Sequence, residues 1–146
     1  MPQNLEYANE FFSFLTGKAT AAMGRRLQKN LKEQGVLITA EQWSLLYYLW
    51  IEEGRTQQEL AALTFRDKPC VSRLIDNLEK LNLVMRVIDK EDKRSNLIFL
   101  TKTGRQLRQT GLQQAEKTLS EALNGLAHED MIRAKDTLEL LYANLK

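Results

Sequence analysis

Residues 67–104 read DKPCVSRLIDNLEKLNLVMRVIDKEDKRSNLIFLTKTG, and two different periods follow one another inside them. From Pro69 onward, Val71, Leu74, Ile75, Leu78 and Leu81 recur at helical spacing, while Ser72, Arg73, Asp76, Asn77 and Lys80 fall largely on other faces. Pro69 suits the first turn of that helix, where its missing N–H leaves no bond unmade. The pattern then shortens. Leu83–Ile88 and Asn96–Leu100 are brief apolar runs on either side of the wholly polar Asp89–Ser95. Two short strands around a charged loop make a hairpin.

Working outward, Thr56-Gln-Gln-Glu59 has the form of a capping box and opens a short helix through Leu60, Ala61 and Leu63. Phe65-Arg-Asp-Lys68 then turns the chain into the helix that begins at about Pro69. Thr39-Ala-Glu-Gln42 is another capping box, opening a helix over about 40–53. That helix is apolar almost all round, which places it at the buried centre. Before it, Ala8, Phe12, Leu15, Ala19, Met23, Leu27 and Leu31 mark a long amphipathic helix ended by Gln34-Gly35. After the hairpin, Thr101 caps a helix reaching about Asn124-Gly125, and a last helix covers about 129–145. Two short helices joined by a tight turn and followed by a hairpin are a winged helix-turn-helix. The expected fold is mainly α with a small β-hairpin, a winged helix-turn-helix core between N- and C-terminal helices. One domain should span 1–146, with the core at about 36–104.

The formal charge of +2 over 146 residues says little by itself. Its distribution says more: residues 54–105 hold eleven Lys/Arg against seven Asp/Glu, whereas each flank holds five against six. A basic middle between slightly acidic ends fits a polyanionic partner. The longest nearly apolar stretch, Trp43–Ile51, is nine residues long, and a membrane span needs about 20. The opening MPQNLEYANEFF has neither a basic start nor an apolar run like a secretory signal, so a cytoplasmic protein is expected. One histidine and one cysteine exclude an ordinary His/Cys zinc site within a chain, and no cofactor is expected. No glycine-rich phosphate loop or nucleophile–base spacing argues for an enzyme.

In a helix-turn-helix the second helix enters the major groove of double-stranded DNA. Its polar residues and the turn before it offer Arg66, Lys68, Ser72, Arg73, Asn77 and Lys80. Arginine is shaped to grip guanine N7 and O6, and asparagine matches adenine. The hairpin loop adds Lys90, Lys93 and Arg94, and a ribbon tip carrying arginine can reach a neighbouring minor groove. Asp92 could orient Arg94 while another basic residue meets phosphate. An interaction module that reuses the fold without touching DNA is the alternative, because fold does not fix function.

The stretch Asp67–Val84 resembles the recognition helix of MarR-type (multiple antibiotic resistance regulator) transcription regulators. The more specific match is the wing signature D-x-R-x-x-x-[hydrophobic]-x-L-T-x-x-G, met by Asp92, Arg94, Ile98, Leu100, Thr101 and Gly104. The resemblance implies a repressor-like homodimer built from the terminal helices, about 1–35 and 105–146, on a palindromic operator. It also implies release by a small, often aromatic, anionic effector. Two residues depart from the pattern. Cys70 stands where Ser or Thr is usual, and Asn82 stands where Gly is usual, a substitution Asn tolerates because it accepts a left-handed backbone.

The residues themselves also point to a dimer, since a small core cannot cover the apolar stripes of two long flanking helices. A ligand pocket could use Phe11, Trp43 and Tyr47 with Arg25 or Arg26 as anion partner. Cys70 reads as a small packed residue rather than a redox sensor, and His128 as a surface residue.

Overall fold

The computed structural model describes residues 5–146, with the side chains of Leu5 and Tyr7 left aside. The first four residues of the expected N-terminal helix lie outside the described residues. The chain runs α1 (Leu5–Ser13), a π-helical turn (Phe14–Lys18), α2 (Ala19–Glu33), α3 (Ala40–Ile51), β1 (Arg55–Thr56) and α4 (Gln57–Thr64). It continues through α5 (Lys68–Lys80), β2 (Val84–Ile88), β3 (Asn96–Leu100), α6 (Lys102–Gln106), α7 (Arg108–Ala122) and α8 (His128–Leu145). This is a mainly helical chain with a winged helix-turn-helix at its centre.

Helix starts follow the side chains that cap them. Thr39 and Gln42 form the reciprocal box expected at the start of α3. Thr56 Oγ1 accepts from the Glu59 amide at 3.0 Å, but among the described residues Glu59 does not return the bond, so only half of the expected box forms; Thr101 Oγ1 accepts from the Gly104 amide at 3.0 Å. Asp67 caps α5 through Cys70 N–H at 2.8 Å, a cap not anticipated from Pro69 alone. Each such bond satisfies one orphan amide and contributes about 1 kcal/mol. Asn82 follows α5 at φ 58°, the left-handed conformation its residue type allows.

The core lies between α3, α4, α5 and the hairpin. Leu45, Leu46 and Leu49 of α3 pack with Leu60, Val71, Ile75, Leu78, Ile98 and Leu100, and all are essentially sealed from solvent. The indoles of α3 tie this core to the C-terminal helices. Trp50 Nε1 donates to the Gly104 carbonyl and Trp43 Nε1 to the Gly111 carbonyl, each at 3.0 Å. Both glycines are needed for close approach: a Cβ on Gly111 would stand 2.3 Å from the Trp50 ring.

Three features depart from the sequence-based expectation. The hairpin is part of a three-stranded antiparallel sheet ordered β1-β3-β2, because Arg55 and Thr56 pair with Ile98 and Leu97. Two residues are too few to show a strand period. The N-terminal helix carries a π-turn at Phe14–Lys18, where the extra residue per turn shifts the apolar register. The helix expected to run unbroken from Thr101 breaks at Leu107, which closes α6 and precedes α7.

A buried polar contact joins α2 to α7. Asn30 donates to Thr118 Oγ1 at 2.9 Å and to Glu121 Oε1 at 2.8 Å, and Arg26 pairs with Glu121 at 2.6 Å. The Asn30 bond, with help from Arg26, holds the Glu121 carboxyl below the usual range. Beyond α7 the chain buries little: no residue of α8 is buried, although Tyr142 meets the Phe65 ring edge-on.

Candidate nucleic-acid interface

Helix α5 divides into three stripes. Val71, Leu74, Ile75 and Leu78 are buried in the core. Ser72, Asp76 and Glu79 face β2. Arg73, Asn77 and Lys80, spaced i, i+4 and i+7, are exposed. The helix is held by its first stripe and leaves the third free, the arrangement a groove-reading helix requires.

Arg86 of β2 fixes the second stripe. Its guanidinium pairs with Asp76 at 2.8 Å, pairs with Glu79, and donates to the Ser72 carbonyl at 3.2 Å. Its Nε also points at Gln57 Oε1, a long contact of 3.4 Å. One side chain therefore links the wing to both helices of the helix-turn-helix. It also neutralises two carboxylates that would otherwise stand beside a polyanion. Sequence reading missed this role because Arg86 lies within a short strand, seven residues or more from its acidic partners. Replacing Arg86 with Met should cost about 1–2 kcal/mol of stability, the loss of charge-assisted bonds at a partly exposed site. Urea unfolding checks this, and Lys at 86 should recover only part, because it cannot fork to several acceptors.

The wing supplies the other side of the site. Asp92 Oδ1 accepts from the Arg94 backbone amide at 3.0 Å, and Asp92 Oδ2 receives the Ser95 hydroxyl at 3.3 Å. Asp92 thus shapes the loop that carries Arg94 and does so through main-chain N–H, leaving the guanidinium free. Arg94, Lys68 and Ser72 come together around an open groove of about 360 Å³ between α4, α5 and the wing. Thr56, Gln57 and Gln58 line the same groove, and the sequence reading did not single them out as contacts. Their position at the start of α4 is the signal that could have found them, since a helix N-terminus with exposed amides suits phosphate.

Lys68, Arg73, Lys80, Lys90, Lys93 and Arg94 are all exposed, and none makes an ion pair among the described residues. Arg86 and Arg105, by contrast, are tied down in the scaffold. Arg105 forks onto Glu53 with both bonds at 2.9 Å, and this holds the Glu53 carboxyl below its usual range. Arg66 behaves differently from the residues it was grouped with. It is half-buried, and its guanidinium donates to Ser44 Oγ at 3.0 Å, turning toward α3 rather than joining the α5 face. Cys70 is half-buried against the core, and His128 is exposed at the start of α8.

The four residues expected around a ligand pocket separate into two groups. Arg25 and Trp43 line a cleft of about 660 Å³ between α2, α3 and α7, together with Arg66. Tyr47 stacks on the Trp43 ring at 5.3 Å and lies outside the cleft lining, while Phe11 is on exposed α1, also away from it. The reason is helical phase on α3: a residue four positions from Trp43 meets its ring and lies one turn along the helix.

The fold and this exposed basic face define a winged helix-turn-helix protein. A sequence model of the MarR family matches residues 38–95. The HTH-type transcriptional regulator TtmR of Methylorubrum extorquens (strain PA1) is 33% identical over 107 residues, 73% of this chain and 52% of that protein. The chain therefore spans about half the length of that relative. The uncharacterized HTH-type transcriptional regulator YwoH of Bacillus subtilis (strain 168) is 30% identical over 98 residues, 67% of this chain and 69% of that one. Among solved structures, the S. aureus MepR–DNA complex aligns with a TM-score of 0.82 at 28% identity, covering 92% and 98% of the two chains. The chain belongs to the MarR family of transcription regulators, whose members are not enzymes. Among the described residues no helix is long and apolar enough to cross a membrane.

Proposed function

We propose that this chain is a cytoplasmic, homodimeric, DNA-binding repressor that reads a palindromic operator and releases it when an aromatic anion enters the α2/α3/α7 cleft. The observation that carries the DNA reading is the set of cations on α5 and the wing that make no ion pair among the described residues. Exposed cations with no acidic partner suit phosphate, and Arg73 and Asn77 on the free stripe suit base edges. The dimer reading is supported by apolar side chains that the single chain leaves open. Phe11, Phe12, Phe14 and Leu15 near the N-terminus, and Ile132, Leu138, Leu140 and Leu145 on α8, are all exposed. Burying such faces against a second copy is the natural way to remove them from water. The terminal segments, about 1–35 and 105–146, would then hold the dimer and about 36–104 would read DNA. Arg25, Arg66 and Trp43 together offer cationic and aromatic chemistry to the effector.

The direct test is selection of genomic fragments by the purified protein, followed by titration of one recovered duplex. Two chains should bind per site, with half-site centres about 10 base pairs or a whole number of turns apart. If Arg73 reads a guanine, Arg73→Ala should cost about 1–3 kcal/mol and relax preference at one position per half-site. Wild-type affinity and preference in the Arg73→Ala protein would make Arg73 a plain surface residue. One chain per site, or no fragment recovered, would favour a protein-interaction module.

A further inference from the structure

Arg66 occupies a position that the DNA face does not explain. It is the last residue before Asp67, the N-cap of α5, and its own amide is anchored to the Ala61 carbonyl at 3.0 Å. Its guanidinium nevertheless reaches away from α5, across the cleft wall, to Ser44 Oγ on α3. The Ser44 hydroxyl donates to the Glu41 carbonyl at 2.6 Å, so toward Arg66 the oxygen serves as a neutral acceptor. Arg25 is the other guanidinium in the lining and Glu41 the one carboxylate, and neither arginine makes an ion pair among the described residues.

We propose that Arg66 is the positioning residue by which an anion in this cleft acts on the recognition helix. The inference rests on reading the cleft as the site of an aromatic carboxylate. A carboxylate is a stronger acceptor for a guanidinium than a serine hydroxyl, because the bond is then charge-assisted on both sides. A ligand lying along Trp43 with its carboxylate between Arg25 and Arg66 therefore takes Arg66 from Ser44. The Ser44 bond pins the α4–α5 turn to α3. Arg66 directly precedes the α5 cap, so loss of that bond frees the start of α5. That start carries Lys68 and Ser72, which form the groove with Arg94 of the wing. Ligand and Ser44 compete for one side chain, and DNA requires the arrangement that Ser44 holds. By linkage, the factor by which the bound anion weakens DNA is the factor by which bound DNA weakens the anion.

Competition gives the two partners opposite signs. With benzoate as the probe, tryptophan quenching reads ligand binding and anisotropy of a selected DNA duplex reads DNA binding. In the wild type, benzoate should bind and weaken DNA. Ser44→Ala should bind benzoate severalfold more tightly and, without benzoate, DNA severalfold more weakly. Arg66→Met should bind benzoate at least tenfold more weakly, and benzoate at saturation should no longer displace DNA. Arg66→Lys, which keeps the charge, should recover part of the benzoate affinity. A residue that merely braces the turn would lower all affinities together and would not tighten benzoate in Ser44→Ala. If both variants respond to benzoate as the wild type does, Arg66 has no positioning role although the cleft still binds anions. If benzoate leaves wild-type DNA binding unmoved, the cleft reading itself fails, and the role of Arg66 with it.

Discussion

Affinity for a selected operator should fall about 10³–10⁵-fold between roughly 50 and 200 mM salt. The expectation comes from counting cations that have no other occupation. Each chain presents Lys68, Arg73 and Lys80 on α5 and Lys90, Lys93 and Arg94 on the wing, all exposed. Geometry prevents all six from reaching phosphate together, so roughly three to five contacts per half-site is a reasonable number, or about six to ten for a dimer. Each phosphate neutralised releases condensed counterions, and this release weakens as bulk salt rises. The slope of log affinity against log salt in an anisotropy titration reads the count directly. Removing one phosphate contact, for example by Lys93→Ala, should lower the slope by about 1 without changing sequence preference. A slope near zero would remove the electrostatic basis of the interface.

Gly104→Ala should be among the most destabilising single-methyl changes in the chain. A Cβ at this position would stand 2.1 Å from the carbonyl oxygen of Leu83. That oxygen cannot swing aside, because it belongs to the backbone at the entry to β2 and already accepts from Thr101 N–H at 3.0 Å. Gly104 is also the residue whose amide is capped by Thr101 and whose carbonyl receives the Trp50 indole N–H. Moving it therefore disturbs the wing, the start of α6 and the core together. Overpacking against fixed backbone should cost about 2–4 kcal/mol. For a chain of this size the melting temperature should drop by roughly 5–15 °C. Gly17→Ala is the control: nothing lies within 4 Å of a Cβ there, so the change should be neutral or slightly stabilising. Equal melting temperatures for the wild type and Gly104→Ala would contradict the close approach.

Gly104 stands in the sequence as the last letter of the wing signature, but the reason for a glycine there does not. Only the structure brings Leu83 and Gly104 together, because the hairpin between them folds back to place the ends of β2 and β3 side by side, with Val84 opposite Leu100. The same separation explains why some contacts could be read in advance and others could not. The stripe Arg73, Asn77 and Lys80 follows from helical phase within one element. Arg86 and its partners Asp76 and Glu79 depend on which face of β2 meets which face of α5.

The sequence by itself determined the order of helices and hairpin, the caps at Thr39, Thr56 and Thr101, and the left-handed residue at Asn82. Those are local facts, set by backbone conformation and by side chains within four residues of the amides they satisfy. Tertiary structure decided the third strand at Arg55–Thr56, the break at Leu107 and the clamp of Arg86. It also sent Arg66 to Ser44 and separated Tyr47 and Phe11 from the cleft that Arg25 and Trp43 line. A long cationic side chain can reach several neighbours, and its own sequence position does not choose among them. The choice falls to the element that packing brings within hydrogen-bond distance.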